Sequence, residues 1–214
     1  MADPGTGDDT PQMWAAPATP PERADLGRLA LRRWRHTDTD ALDPVIAASQ
    51  DHLRGFMPWA AAHSRANTED YLQRCEEQGA GRTAFQYALT AGMNGPVVGS
   101  AGLMGRVGPE AEEVGYWVAH DRVGQGLATL AAAWLTDAGL GIAGVGRIEI
   151  HHDLANVASA RIPAKLGYRL LEEREVPAEA ETETGRQGVW EMPAADWPGS
   201  VGHRLLTRAA ARDD

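Results

Sequence analysis

Cysteine is almost absent: Cys75 stands alone among 214 residues, so no intrachain disulfide framework can staple the fold. A reducing compartment is the simplest expectation, and Cys75 has no second thiol with which to build a metal cage. Long apolar runs are missing too. Nothing approaches the ~18 consecutive apolar residues of a membrane helix, and the opening MADPGTGDDTPQ has neither the basic start nor the apolar stretch of a secretory signal. The expected location is the cytoplasm, with no membrane partner. Basic charge is also in short supply. Lys165 is the only lysine, and Lys+Arg 20 against Asp+Glu 30 leaves a formal net charge of −10. A protein built to neutralise nucleic-acid phosphates needs clustered Lys and Arg, so nucleic acid is not an expected partner and a cationic small substrate suits the charge better.

What is present is a chain with 43% hydrophobic residues, enough for one core. Residues 1–26 are rich in Pro, Ala, Thr, Gly and Asp and carry no apolar period, which predicts a flexible tail. RLALRRWRH then reads as a half-buried strand, and Thr37 to Asp40 offer N-cap residues for a helix over ALDPVIAASQDHL. Asn67-Thr68-Glu69-Asp70 opens a second helix, with Tyr71, Leu72 and Cys75 as its apolar stripe. TAFQYALTA and PVVGSAGLMG form a hairpin about Gly92-Met93-Asn94-Gly95, and EVGYWVA supplies another strand. GLATLAAAWLTDAGL is Ala-rich and helical, RIEIHH a buried strand, ANVASARIPAKLGY a helix closing at Gly167, and RLLEEREV and GVWEM the last strands. No repeat or second core is visible. The expectation is one α/β domain over 27–196 with a mixed sheet, and a C-terminal tail over 197–214.

The segment EVGYWVA-HDRVGQGLAT is the most informative. Gly124 and Gly126 let the backbone approach a ligand closely, and the free amides that open the following helix suit an anion, most naturally a pyrophosphate. Two other readings compete: a plain strand-to-helix turn, and a dinucleotide site of an NAD-dependent oxidoreductase with Glu149 on the ribose. The second is a partial match, because Thr129 stands where the third glycine belongs. A Walker loop fails, since no Gly-Lys-Ser/Thr is present.

Arg122-Val123-Gly124-Gln125-Gly126-Leu127-Ala128-Thr129, followed by Asn156-Val157-Ala158-Ser159 and then Lys165-Leu166-Gly167-Tyr168, resembles the GNAT superfamily of acetyl-CoA-dependent N-acetyltransferases. The first block is similar to that family's R-x-x-G-x-G/A pyrophosphate loop, the second to its N-x-x-S/A and LGF/Y helix. Leu53 to Trp59 and Val114-Gly115-Tyr116-Trp117-Val118 are similar to the branch that acetylates ribosomal-protein N-termini, and the likeness spans about 28–193. The resemblance implies a mixed, mostly antiparallel central sheet flanked by helices, whose fourth and fifth strands, here 113–119 and 146–151, splay apart around the pantetheine arm. It also implies acetyl-CoA as co-substrate. The backbone of Trp117 and Val118 would pair with the pantetheine, Asn156 would hold it, and amides from Val123 to Thr129 would take the pyrophosphate.

Acetyl transfer needs a deprotonated amine, a polarised carbonyl and a way to stabilise the departing thiolate. Deprotonation at neutral pH costs about 4–5 kcal/mol for a lysine-like amine and about 1.5 kcal/mol for an α-amine. His151, five residues before Asn156, is one candidate base, since a neutral imidazole titrates near the working pH. Glu113 is the other, and Glu149 shares a strand face with His151. Many relatives carry a tyrosine acid seven residues after the helix-opening asparagine. Pro163 occupies that position here, while Ser159 is the residue the ribosomal-protein branch places near the CoA sulfur. The His151-His152-Asp153 run departs from the H-H-x-x-x-D-G pattern of a second acyltransferase class, and adjacent histidines do not give helical metal-ligand spacing, so no metal is expected. Acidic residues from Glu172 to Glu183 read either as a solvated loop or, since the resemblance implies that this connection borders the acceptor site, as a charge that would steer a cationic acceptor, with Phe56, Met57 and Trp59 on the side of the pocket that the resemblance gives to the first two helices. The expected partners are acetyl-CoA and an amine acceptor, with a homodimer left open. A non-catalytic acyl-CoA-binding module of the same fold is the alternative that the missing phenol invites.

Overall fold

The computed structural model describes residues 19–210. One sheet of eight strands runs in the order β1-β2-β3-β4-β5-β6-β8-β7. Its strands are β1 (Arg23–Asp25), β2 (Ala30–Arg33), β3 (Ala84–Thr90), β4 (Val97–Met104), β5 (Ala111–Val118), β6 (Arg147–Asp153), β7 (Arg169–Glu175) and β8 (Arg186–Pro193). All neighbours pair antiparallel except β5 and β6. The helices are α1 (Thr39–Leu53), α2 (Pro58–Ala61), α3 (Arg65–Gly81), α4 (Leu127–Leu140), α5 (Val157–Leu166) and α6 (Val201–Ala210).

Strand alternation divides the core between the sheet's two faces. Val114 of β5 and Ile148 and Ile150 of β6 pack with Leu130, Trp134 and Leu135 of α4 and Leu166 of α5. The other face gathers Trp34, Leu42, Ile46, Leu72 and Cys75 under α1 and α3, with Trp117 against them. Local chemistry sets the helix ends. The Ser64 side chain accepts from the Asn67 amide (3.2 Å) and starts α3 two residues before the sequence expectation. Asn156 caps α5 by accepting from the Ser159 amide (3.0 Å).

Both expected tails need correction within the described residues. Arg23–Asp25 pairs with Ala30–Arg32, and Leu26 is buried beside them, so the domain starts before residue 27. A three-residue strand is too short to show a period. The remaining residues of that expected tail, 1–18, lie outside the described residues. At the other end Trp197 is buried and its indole N–H donates to Asp137 of α4 (2.8 Å), while α6 buries Leu206 in the main core. Residues 197–210 are therefore a docked element rather than a tail, and 211–214 lie outside the described residues. Among the described residues no helix is long and apolar enough to cross a membrane.

Candidate active site

The turn from β5 to α4 exposes a run of backbone donors. Among the described hydrogen bonds no amide from Val123 to Thr129 reaches a carbonyl, and the first to do so is Leu130 to Gly126 (3.1 Å). Gly124 (φ +78°) and Gly126 (φ +74°) hold this loop in the left-handed region, where an L side chain is strained. Leu127 buries its side chain and pins the helix start, leaving Val123, Gly124 and Gln125 exposed. Half-buried Ala128 and Thr129 follow it, and Arg122 lies 3.4 Å from Asp121. The amides and the positive end of α4 together form an anion cradle. A residue not foreseen from the sequence joins it. Arg28, from the β1–β2 turn, donates to the Gln125 carbonyl (2.8 Å), and its Nη2 sits 3.3 Å from where a Cβ on Gly126 would lie.

Beside the cradle the sheet opens. The parallel ladder between β5 and β6 runs only through Ala111↔Arg147, Glu112↔Ile148 and Glu113↔Glu149. From Val114 to Val118 the β5 backbone has β4 on one side and no strand on the other. Trp117 and Val118 fall in this unpaired stretch, which can accept an extended chain as an added strand. Asn156 lines the space, but its Oδ1 serves as the α5 cap, so only its amide nitrogen remains to donate outward.

A cavity of about 830 Å³ passes through the opening. Glu113 lines it, and behind Glu113 the buried Glu149 and Glu191 continue the row, the three paired in register on adjacent strands and each bound by an arginine, Arg106, Arg147 and Arg169 respectively. Glu113 is therefore not a solvated edge residue. Both of its oxygens accept from Arg106 at 2.7 Å. Glu149 carries a second bond: its Oε2 lies 2.7 Å from His151 Nε2. A carboxylate can only accept, so the Nε2 proton points to Glu149 and the Nδ1 lone pair is left to accept a proton. That Nδ1 is 3.8 Å from Glu113 Oε2, beyond hydrogen-bond length. Glu149 thus orients the imidazole, and His151 is the better placed of the two candidate bases.

The neighbours of His151 are occupied. His152 accepts the Trp190 indole hydrogen on Nε2 (2.9 Å), which leaves Nδ1 to donate to the Asp153 carbonyl (2.8 Å). Burial opposes the charge on Asp153, but hydrogen bonds from Ala155, Thr184 and Gly185 outweigh it and hold the carboxyl below its usual range. Asp153 so anchors the β7–β8 loop. The Thr182 amide also donates to the Gly55 carbonyl (3.0 Å) and fastens this loop to the corner after α1. Of the acidic run, Glu179 and Glu183 line the cavity, though one Glu183 oxygen is taken by the Glu179 and Ala180 amides. Trp59 stands opposite, 5.9 Å from Trp117 between ring centroids.

Ser159 does line the cavity, and its partner is a further residue the sequence did not single out. The Tyr116 phenol oxygen lies 3.2 Å from Ser159 Oγ. Tyr168 is buried in the core with its phenol on Thr136 (2.6 Å). The dinucleotide alternative is lost, because it requires a parallel sheet on both sides of the turn and β5–β6 is the one parallel pair in this sheet.

A sheet split around an open slot, with an amide cradle at the end of the split, defines a coenzyme A-dependent acyltransferase fold. The sequence model of the acetyltransferase (GNAT) domain matches residues 28–169, and the chain belongs to that family. No curated protein matches the chain. Among solved structures it is similar to Mycobacterium smegmatis RimJ in complex with CoA-disulfide, at 23% identity and TM-score 0.75 over 86% of this chain and 90% of that one. It is also similar to the microcin C7 self-immunity acetyltransferase MccE in complex with acetyl-CoA and AMP, at 13% identity and TM-score 0.73 over 82% and 98%. A third is RimL, a ribosomal L7/L12 alpha-N-protein acetyltransferase in complex with coenzyme A, at 16% identity and TM-score 0.71 over 84% and 98%.

Proposed function

We propose that this chain transfers the acetyl group of acetyl-CoA directly to a primary amine, on a peptide or protein N-terminus or on a small molecule, without a covalent enzyme intermediate. The observation that carries the reading is the end of β5–β6 pairing at Glu113↔Glu149, with His151 and Glu149 beside the gap and the amide run from Val123 to Thr129 at its far end. Acetyl-CoA supplies the activated carbonyl and a thiolate leaving group. The amides from Val123 to Thr129, with Arg28 beside them, bind the pyrophosphate, and β5 from Val114 to Val118 pairs with the pantetheine. A β5 amide in that stretch polarises the thioester carbonyl. His151 Nδ1 takes the proton of the incoming amine, held in the required tautomer by Glu149. Ser159 lies on the leaving-group side. Glu179 adds negative charge to the acceptor half, favouring a cationic amine.

The test is a thiol-release assay with acetyl-CoA over cationic amines, anionic amines and short peptides, at low and high salt, with mass spectrometry of the acceptor. Stoichiometric acetylation of an amine, with cationic acceptors losing rate at high salt, supports the reading. Binding of acetyl-CoA with hydrolysis alone and no acetylated amine would replace it with the non-catalytic module.

A further inference from the structure

The proposed transfer needs a hydrogen aimed at the departing sulfur; Pro163 carries none, and the Ser159 hydroxyl can serve only if its rotor is held in the right direction. The fold supplies a partner that can hold it. Along β5, Glu113, Gly115 and Trp117 point to the face under α1 and α3, whereas Val114, Tyr116 and Val118 point to the face under α4 and α5. His151 shares the first face through Glu149 and Glu113, and Ser159 opens α5 on the second. An acyl donor lying in the split between β5 and β6 therefore meets the base from one side of the sheet and Ser159 from the other.

Tyr116 reaches Ser159 across that second face. Its phenol oxygen is 3.2 Å from Ser159 Oγ and 3.4 Å from the Ser159 carbonyl, and both residues line the cavity. Neither hydroxyl has another side-chain partner among the described residues. We infer that Tyr116 is a positioning residue for acetyl transfer: its O–H donates to Ser159 Oγ, which turns the Ser159 hydrogen into the cavity toward the thioester sulfur. Burial raises the phenol's pKa, so it keeps a hydrogen to donate at neutral pH, and Ser159 Oγ at 3.2 Å is a nearer acceptor than the Ser159 carbonyl at 3.4 Å. The pair stabilises the thiolate by hydrogen bonding and gives up no proton. The amine nitrogen forms its bond to the acetyl carbon, the carbon–sulfur bond breaks with its electron pair on sulfur, the amine proton goes to His151, and the released thiolate is protonated by water.

This inference rests on the acetyltransfer reading, and the experiment separates the two. Tyr116→Phe, Ser159→Ala and the double variant are compared with the parent for kcat, KM for acetyl-CoA and the melting shift induced by CoA. Each single change is expected to lower kcat by about 10- to 100-fold, the worth of a hydrogen bond to a charged atom. KM and the CoA-induced shift stay near the parent's, and the double variant falls no further than Ser159→Ala alone. S-(4-nitrophenyl) thioacetate, whose thiolate leaves without help, should shrink the loss in Tyr116→Phe to within about threefold. An equal loss with both donors, or fully additive losses, assigns Tyr116 to packing and overturns the inference while leaving the transfer reading intact. A parent enzyme that acetylates no amine overturns both.

Discussion

Valine at position 126 would strain the proposed coenzyme site at its narrowest point. Gly126 has φ +74°, and an L residue held there costs roughly 1–2 kcal/mol. The new Cβ would also come 3.3 Å from Arg28 Nη2, the end of a flexible side chain that can move aside. For a chain of this size about 1 kcal/mol lowers Tm by roughly 2–4 °C. The folded protein should therefore survive with a Tm lower by ~2–8 °C. The larger effect falls on the ligand. To escape the strain the backbone must rotate, which turns the Gly126 and Leu127 amides away from the cradle. One lost hydrogen bond to a charged phosphate is worth about 1.5–3 kcal/mol, so CoA should bind at least ~10-fold more weakly. Titration calorimetry with CoA, run beside the melting curve, reads both quantities. Gly124→Ala, whose Cβ would meet nothing within 4 Å, carries the same φ strain in the same loop and should weaken CoA binding in the same direction. A folded Gly126→Val protein that binds CoA as tightly as the parent would refute the argument.

Three further outcomes are expected. His151→Gln should lower kcat by about 10²–10⁴-fold with CoA binding retained, and should remove the acid limb of the pH–rate profile; an unchanged profile would move the base elsewhere. Glu112 has its Oε2 buried without a partner and its carboxyl pKa raised by burial, so the unfolded chain ionises first and stability falls as pH rises from the unfolded pKa through the folded one. Glu112→Met should raise Tm by ~2–4 °C near pH 7, with a smaller gain near pH 4, as melting curves across that range would record; a gain independent of pH would contradict the sign. Burial pushes the Cys75 thiol up to about 12, so a disulfide reagent at pH 8 should leave the native protein unreacted and titrate one thiol after denaturation, and rapid native reaction would place Cys75 at the surface.

Much of the fold was legible because its elements carry strong periods. The alternation in TAFQYALTA and the Ala-rich run after Gly126 each needed only local rules, and β3 and α4 lie where those rules put them. The run of free amides before α4 was legible for the same reason, since its glycines and helix start are contiguous in sequence. Residues that meet only through tertiary docking were not. Arg28 and Gln125 are 97 positions apart, and nothing near either one announces the other. Alternation could have put Tyr116 on the face away from Glu113, but its meeting with Ser159 depends on how α5 packs. That Glu113 is held by an arginine was not visible, because Arg106, which takes both its oxygens, comes from beyond the preceding strand. The docking of α6 was hidden because its anchor, Trp197, finds Asp137 only once α4 is in place.

A crystal structure of the chain with CoA tests most directly whether the coenzyme sits in the gap between β5 and β6. The expected result is the diphosphate within hydrogen-bond reach of the amides from Val123 to Thr129, the pantetheine alongside Val114 to Val118, and the sulfur near Ser159. CoA bound at another surface, or a gap closed by side chains in its presence, would contradict it.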